Sequence, residues 1–330
     1  MADIASTDAP AAGLTIGETD DSTARLHRNL MIGIAVVLVI APFVAYPVFV
    51  MKVLCFALFA LAFNLLLGYG GLLSFGHAAY FGMASYVSAY TAKHWGLTPE
   101  LAILAGTGIA ALLGLAFGSL AIRRQGIYFA MITLALAQMA FFFSLQTPRF
   151  TGGEDGIQAV PRGRLLGMVS LADDRALYWL VAAVFMGGLL LIYRIIHSPF
   201  GQVCKAIRDN EPRAISLGYR ASQYKLAVFV LSAGLAGLAG ATKAIVFQLA
   251  SLTDVHWSMS GEVVLMTLVG GLGTVFGPIV GALVIVSMQN FLATLGAWVT
   301  VVQGIIFVIC VLLFREGIVG VIAKWIKKPL

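Results

Sequence analysis

Few side chains inside the apolar stretches of this sequence could do chemistry, and most are neutral: Asn64, His77, Gln138, Lys243, Gln248, Gln289, Asn290 and Gln303. Neutral amides in such a setting suit hydrogen bonds between helices in lipid. His77 reads either as a packed, hydrogen-bonded group or as a proton relay, and Lys243, near the outer end of its run, as a side chain that snorkels to the interface. No Asp or Glu falls inside an apolar run, and Glu262 and Glu316 lie only near the ends of theirs. Proton or sodium coupling usually leaves a carboxylate at membrane depth, so ion-coupled chemistry has little to work with. ATP hydrolysis needs a phosphate-cradling loop ending in Gly-Lys, and no Gly-Lys dipeptide occurs. Cys55, Cys204 and Cys310 stand at unrelated spacings, which gives neither a metal cluster nor a disulfide framework. The sequence therefore offers no catalytic residue, metal site or cofactor of its own.

Two glycine clusters stand out instead. Residues 68–77 read GYGGLLSFGH and residues 268–278 read LVGGLGTVFGP, roughly 200 residues apart, each with Gly-Gly-Leu and then a hydroxyl residue before Phe-Gly. Unwound backbone at membrane depth must line a cavity or be buried in protein, and paired interrupted segments in two halves of a chain point to a solute path. The candidate path residues are Asn64, Gly70, Gly71, Ser74, His77, Gly270, Gly271 and Gly273. Close helix packing through small residues is the other reading of each cluster.

The elements that hold these residues follow from composition. Of 330 residues, 60% are hydrophobic and 11% charged, against roughly 25% charged in soluble domains, and 36 are Gly. That composition predicts an all-α polytopic membrane protein. Apolar runs cover 30–51, 53–67, 78–92, 101–122, 127–147, 176–193 and 226–242, followed by the 52-residue stretch 263–314. A crossing needs about 20 residues, so the last stretch, broken at its glycines and again at 294–298, holds three segments, and about ten crossings result. Two of them, 53–67 and the segment after Glu262, look short and glycine-interrupted. Assigning loops to alternate sides places 14 Lys and Arg on one side and 7 on the other, which puts both termini in the cytoplasm. Residues 1–29 are expected as a disordered acidic tail, 30–316 as the membrane domain and 317–330 as a basic tail. The net charge of +6 is a topology signal and implies no nucleic-acid partner.

With ATP and ion chemistry set aside, energy would come from another protein, and the largest inner loop, 197–223, is built to receive one. Asn210 is an N-cap, Pro212 sits in the first turn, Ala214, Ile215 and Leu217 are apolar within one helical turn, and Gly218 is the stop. A short helix of this kind could also lie on the membrane surface.

Segments 66–86 (LLGYGGLLSFGHAAYFGMASY), 126–139 (GIYFAMITLALAQM), 151–157 (TGGEDGI), 198–218 and 251–273 resemble the membrane subunits of branched-chain amino-acid ABC importers of the LivM type. The resemblance spans 30–314. It implies an inner-membrane heteromeric importer: a second permease of the LivH type, two cytoplasmic ATPases that use ATP and Mg, and a periplasmic solute-binding protein. It implies that 210–218 is the coupling helix docked on an ATPase, with Arg208, Asn210, Glu211, Pro212, Arg213, Leu217 and Gly218 as contact residues, although Glu211 to Gly218 is one residue longer than the EAA-x-x-x-G pattern of other importers. Arg208 and Arg213 are expected at the rim of that contact. Thr151, Gly152 and Gly153 fall in an outer loop, facing the binding protein or forming a plain glycine turn. Relatives carrying urea, short amides or aromatic acids look similar, and sugar permeases are more distant. A secondary carrier or channel without ATPases, and a non-transporting scaffold, are the alternatives of another class.

Overall fold

The computed structural model describes residues 16–165, 167, 169–292, 298, 301, 302, 304, 305, 308 and 317–326. The fold is mostly helical. α1 spans Ile16–Val44, α2 Pro47–Asn64, α3 His77–His94, α4 Pro99–Ala121, α5 Ile127–Gln146 and α6 Pro148–Thr151. α7 follows at Asp174–His197, α8 at Pro199–Asp209, α9 at Glu211–Ser216, α10 at Ala221–Phe247, α11 at Trp257–Gly270, α12 at Gly277–Leu292 and α13 at Gly317–Ile326. Two-residue strands form two small antiparallel pairs: β1 (Ile157–Gln158) with β4 (Leu249–Ala250), and β2 (Arg164–Leu165) with β3 (Val169–Ser170).

Six helical stretches among the described residues are long and apolar enough to cross a membrane: Arg25–Val44, Pro47–Tyr69, Pro99–Ala121, Ile127–Gln146, Asp174–His197 and Ala221–Phe247. The molecule is a multi-pass membrane protein. Pro47–Tyr69 and Ala221–Phe247 are 83% and 78% buried against 11% for Arg25–Val44, so α2 and α10 form the centre and α1 lies outside. α10 packs on α3, α4 and α2, while α7 and α12 close on α2. Its small residues bring backbones together: a Cβ at Gly240 would fall on the Phe81 carbonyl, and one at Gly237 on Ala110.

Several sequence expectations change. The run 30–51 is cut before Pro47, because Tyr46 is extended and the proline starts a new helix. Lys52 is thereby folded into α2, and the supposedly short segment 53–67 becomes part of a 23-residue crossing, Pro47–Tyr69. α11 does remain short, at 14 residues. The helix of α1 reaches back to Ile16, so part of the expected tail is helical. Gly317–Ile326 is likewise a helix, packed on α11 and α12, and not a plain basic tail. The third crossing expected in 263–314 and its break at 294–298 lie mostly outside the described residues.

α10, about 40 Å long at 1.5 Å per residue, defines two ends of the bundle. Its start follows α9 and its end runs into β4, so the α8–α9 loop and the β1–β4 pair sit at opposite ends. His27 of α1 meets Tyr193 and His197 of α7 and Phe276 edge-on, which places the start of the apolar stretch Arg25–Val44, the end of α7 and the second glycine cluster at the α8 end.

Candidate functional site

At the α8 end both glycine clusters meet. α2 runs on past Asn64 as a π-helix, Leu65–Tyr69, and then leaves helical geometry, with Gly71 at φ +67°. π-turns of this kind often mark functional positions. Asn64, 2% exposed, turns its carboxamide across the gap: Nδ2 donates to the Thr274 carbonyl at 2.8 Å and Oδ1 accepts from the Gly273 amide at 3.0 Å. The amide thus satisfies one donor and one acceptor of the second interrupted segment. Gly68 leaves the room for it, because a Cβ there would strike Asn64 Oδ1 and lie 2.9 Å from the Gly273 nitrogen. The second segment is braced from within as well, since Thr274 Oγ1 donates to the Gly271 carbonyl at 2.8 Å and accepts from Gly277 N at 3.1 Å.

Beyond the π-helix the chain turns back, and α3 starts at His77, level with the middle of α10. Ser232 Oγ donates to the Ala62 carbonyl at 2.5 Å, so His77 Nε2, 2.8 Å away, must donate to Ser232. Nδ1 meets no hydrogen-bonding group among the described residues, and Phe63, Tyr80 and Phe229 surround the ring. The packed reading of His77 fits this cage, which leaves no chain of polar groups for a proton. Ser74 is also fully buried and accepts from the Gly76 amide at 3.2 Å. Asn64, Gly70, Ser74, His77, Gly270 and Gly271 are all buried within the subunit, whereas Gly71, Leu73 and Leu272 are exposed and Gly273 is half-buried. Of the expected path residues, the geometry joins Asn64 to Gly273 across the two broken helices, while Ser74 and His77 are seated apart from the second segment.

The loop after α7 holds two helices. Ser198 caps α8, accepting from Gly201 N at 3.3 Å, and Asn210 caps α9, accepting from Arg213 N at 3.0 Å. Pro212 occupies the first turn of α9 and Gly218, at φ +91°, ends it. Ala214 faces inward against Ile207 and Ala221, which fixes α9 on α8 and on the start of α10. Glu211 pairs with Lys225 at 2.7 Å and accepts from Gln125 Nε2 at 2.9 Å, tying the loop to the α4–α5 turn. Ile215 and Leu217 are left outward, at 55% and 70% exposure. A groove of about 270 Å³ lined by Ser119, Ile122, Arg123, Ser222, Gln223 and Leu226 opens between the ends of α4 and α10. Arg213 stays on the outer face. Arg208 is also exposed, with 35% of its side chain open, but its guanidinium reaches across to the end of α2, donating through Nη1 to the Gly68 carbonyl and through Nε to Asp209 Oδ1 at 2.9 Å. Burial and the Arg208 charge hold the Lys205 ammonium below its usual range, and its Nζ lies 5.3 Å from the centre of the Tyr69 ring.

At the opposite end, Thr151 is buried, donating to the Ser144 carbonyl at 2.5 Å and accepting from Gly153 N at 3.3 Å. Gly152 and Gly153 both adopt positive φ, and Gly153 is buried. The Thr-Gly-Gly motif therefore forms the corner that seats the loop between α5 and α7, and its exposed surface is carried by Glu154 and Asp155. Lys243 is the clearest correction at this end: it does not snorkel but binds both carboxylate oxygens of Asp254, at 2.8 and 2.7 Å, with side-chain exposures of 11% and 3%. Asp254 comes from a short turn after β4, so no apolar run in the sequence announced it. Thr274, Ser232, Gly68 and Asp254 are the structural partners that sequence reading missed, because each is joined to its partner only through the fold. Among the described residues no three His, Cys, Asp or Glu side chains converge as metal ligands would.

Comparison with known proteins completes this picture. The family described as branched-chain amino acid transport system, permease component, matches residues 30–311. The high-affinity branched-chain amino acid transport system permease protein LivM of Salmonella typhimurium is 24% identical, aligned over 93% of this chain and 78% of its own length. LivM of Escherichia coli is also 24% identical, over 82% of this chain and 69% of that protein. The ribose import permease protein RbsC of Bacillus subtilis is 29% identical over 67% of this chain and 70% of its own. No solved structure matches significantly.

Proposed function

This chain belongs to the branched-chain amino acid transport permease family, whose members are permease subunits of ABC transporters and not enzymes, and from that membership we propose that it forms half of the solute path of an ATP-driven importer for branched-chain or related hydrophobic amino acids. The observation that carries the substrate class is the LivM likeness over nearly the whole chain. The other half of the path is a second permease of the LivH type. Two cytoplasmic ATPases, using ATP and Mg, supply energy, and a periplasmic solute-binding protein delivers the solute. The complex sits in the bacterial inner membrane, with about ten crossings in this chain and both termini cytoplasmic, so that the α8 end faces the ATPases.

The exposed Ile215 of α9 and Leu217 at its C-cap support a docking role for this loop, and the groove at the end of α4 and the start of α10 adds a concave surface at the same end of the bundle. Asn210, Glu211, Pro212, Arg213 and Gly218 shape and seat that helix. Contact of this kind draws on apolar burial at its centre, with Arg213 at the rim, where exposed ion pairs add little. ATP-driven movement of α9 reaches the solute path through the two interrupted segments, whose open rims at Gly71, Leu73 and Leu272 would face the second permease. Neutral amides, hydroxyls and unwound backbone suit a passing zwitterion, because they hydrogen-bond without trapping charge. The Thr151, Gly152 and Gly153 corner holds the outer loop toward the binding protein.

The test is purification of this chain from its native membrane followed by uptake in proteoliposomes with ATP inside. Retention of an ATPase pair and saturable leucine, isoleucine or valine uptake with the cognate binding protein supports the reading. Uptake of urea, an aromatic acid or ribose in place of these moves the substrate class, and ribose is the arm that the RbsC likeness singles out. Uptake by the chain without ATPases points to a carrier.

A further inference from the structure

α2 ends as a π-helix, and the last carbonyls of a helix lack intrahelical donors while carrying the negative end of its dipole. The Leu67 and Leu66 carbonyls are met by the chain itself, from Gly71 N at 3.1 Å and Leu72 N at 3.2 Å. The Gly68 carbonyl, one residue before the end, is met by the Arg208 guanidinium across 140 residues of sequence. Asp209 accepts from the other edge of the same guanidinium, Nε at 2.9 Å and Nη2 at 2.8 Å, and so holds its plane toward Gly68. The Arg208 stem lies against one side of the exposed Gly71: a Cβ on that residue would lie 2.6 Å from Arg208 Cγ. Lys205, one turn earlier on α8, adds a second cation at the Tyr69 ring. Two positive side chains of one short helix thus grip the end of the first interrupted segment. That segment is in turn joined to the second through Asn64.

We infer that Arg208 is a positioning residue, the joint through which α8 and α9 hold and move the interrupted end of α2, and through Asn64 the second glycine segment. Arg208 was expected at the rim of the ATPase contact; the fold turns its guanidinium toward the end of α2. α8 and α9 move as one piece because Ile207, Ala214 and Ala221 pack together and Asn210 caps α9 two residues after Arg208. A push on Ile215 or Leu217 is then delivered to the Gly68 carbonyl without a flexible link. A single charged hydrogen bond shifts an equilibrium by roughly tenfold or more, enough to bias the segment between two arrangements. The inference rests on the reading that α9 receives the ATPase movement.

The experiment compares Arg208→Met and Arg208→Lys with the unaltered chain in the purified complex, reading three quantities: membrane level, ATPase copurification, and amino acid taken up per ATP hydrolysed. Expected are wild-type copurification for both variants, a fall in coupling of about tenfold for Arg208→Met, and a smaller fall for Arg208→Lys, which retains one donor but loses the fork that Asp209 orients. Unchanged coupling in Arg208→Met overturns the joint. If Arg208→Met is lost from the membrane, Arg208→Lys decides: reduced coupling supports the joint, and normal coupling makes the contact one of folding alone and overturns it. Failure of the unaltered chain to retain ATPases would instead overturn the importer reading, a result that copurification reports before coupling is measured.

Discussion

The carboxamide of Asn64 and the backbone of Thr274, 210 residues apart, are joined by a 2.8 Å hydrogen bond, and the neighbouring Gly273 amide returns a second to the same side chain at 3.0 Å. Each glycine-interrupted helix has lost part of its internal ladder, and a single buried amide reconnects the two breaks. The pair therefore behaves as one unit at the α8 end of the bundle and not as two separate kinks.

Asn64→Ala removes both bonds and leaves the Gly273 N–H and Thr274 C=O without that partner. The expected cost is about 1–3 kcal/mol, since an unmet buried polar group loses more than the net value of its hydrogen bond. A lowered thermal unfolding midpoint in detergent is the check. An unchanged midpoint would mean that water replaces the amide and that the two segments are not held by it.

Lys243 and Asp254 form a buried ion pair at the opposite end. Removing one partner alone, as in Lys243→Met or Asp254→Asn, is expected to destabilise by about 3–5 kcal/mol or to abolish accumulation, whereas Lys243→Met combined with Asp254→Leu recovers most of the loss. The comparison of single and double variants in one unfolding series measures this. Additive losses in the double variant would show that the two side chains do not act as a pair.

Leu217→Asp should leave the subunit itself intact, because this side chain is 70% exposed. Its effect belongs to the complex: a carboxylate placed in an apolar docking cleft should cut ATPase copurification by about tenfold or more. Ala214→Asp serves as the contrast, because Ala214 is 2% exposed and a charge there should disrupt the loop before any partner binds. Normal copurification and solute-stimulated hydrolysis in Leu217→Asp would remove α9 from the coupling role.

The orientation can be read with an impermeant thiol reagent on intact cells. Glu154→Cys, on the exposed part of the outer loop, should react, and Gln202→Cys on α8 should react only after lysis. Cys204 adds little background at neutral pH: burial pushes its thiol up to about 11, so it stays protonated until the pH approaches that value. The opposite labelling pattern would invert the topology and place the α8 end outside.

Composition and local pattern were enough to establish a helical membrane protein, the absence of its own ATP-hydrolysing loop, the helix caps at Asn210 and Gly218, and the two interrupted segments with Asn64 beside one of them. Those properties depend on residues within a turn or two of each other, which a linear reading can see. Where the local signal was ambiguous it misled: the charge of Lys52 split an apolar run that Pro47 actually divides, and the exposure expected of Lys243 ignored a carboxylate 11 residues away in a turn. The tertiary structure alone decided that Asn64 bridges to Gly273 and Thr274, that His77 is closed in by Ser232 and three aromatic rings, and that Arg208 reaches across to Gly68. Those contacts join positions 140 to 210 residues apart. Their partners are backbone groups freed where helices break, and a broken helix shows which groups lack a donor or acceptor but not which distant side chain the packing of α2, α8, α10 and α12 will bring to them.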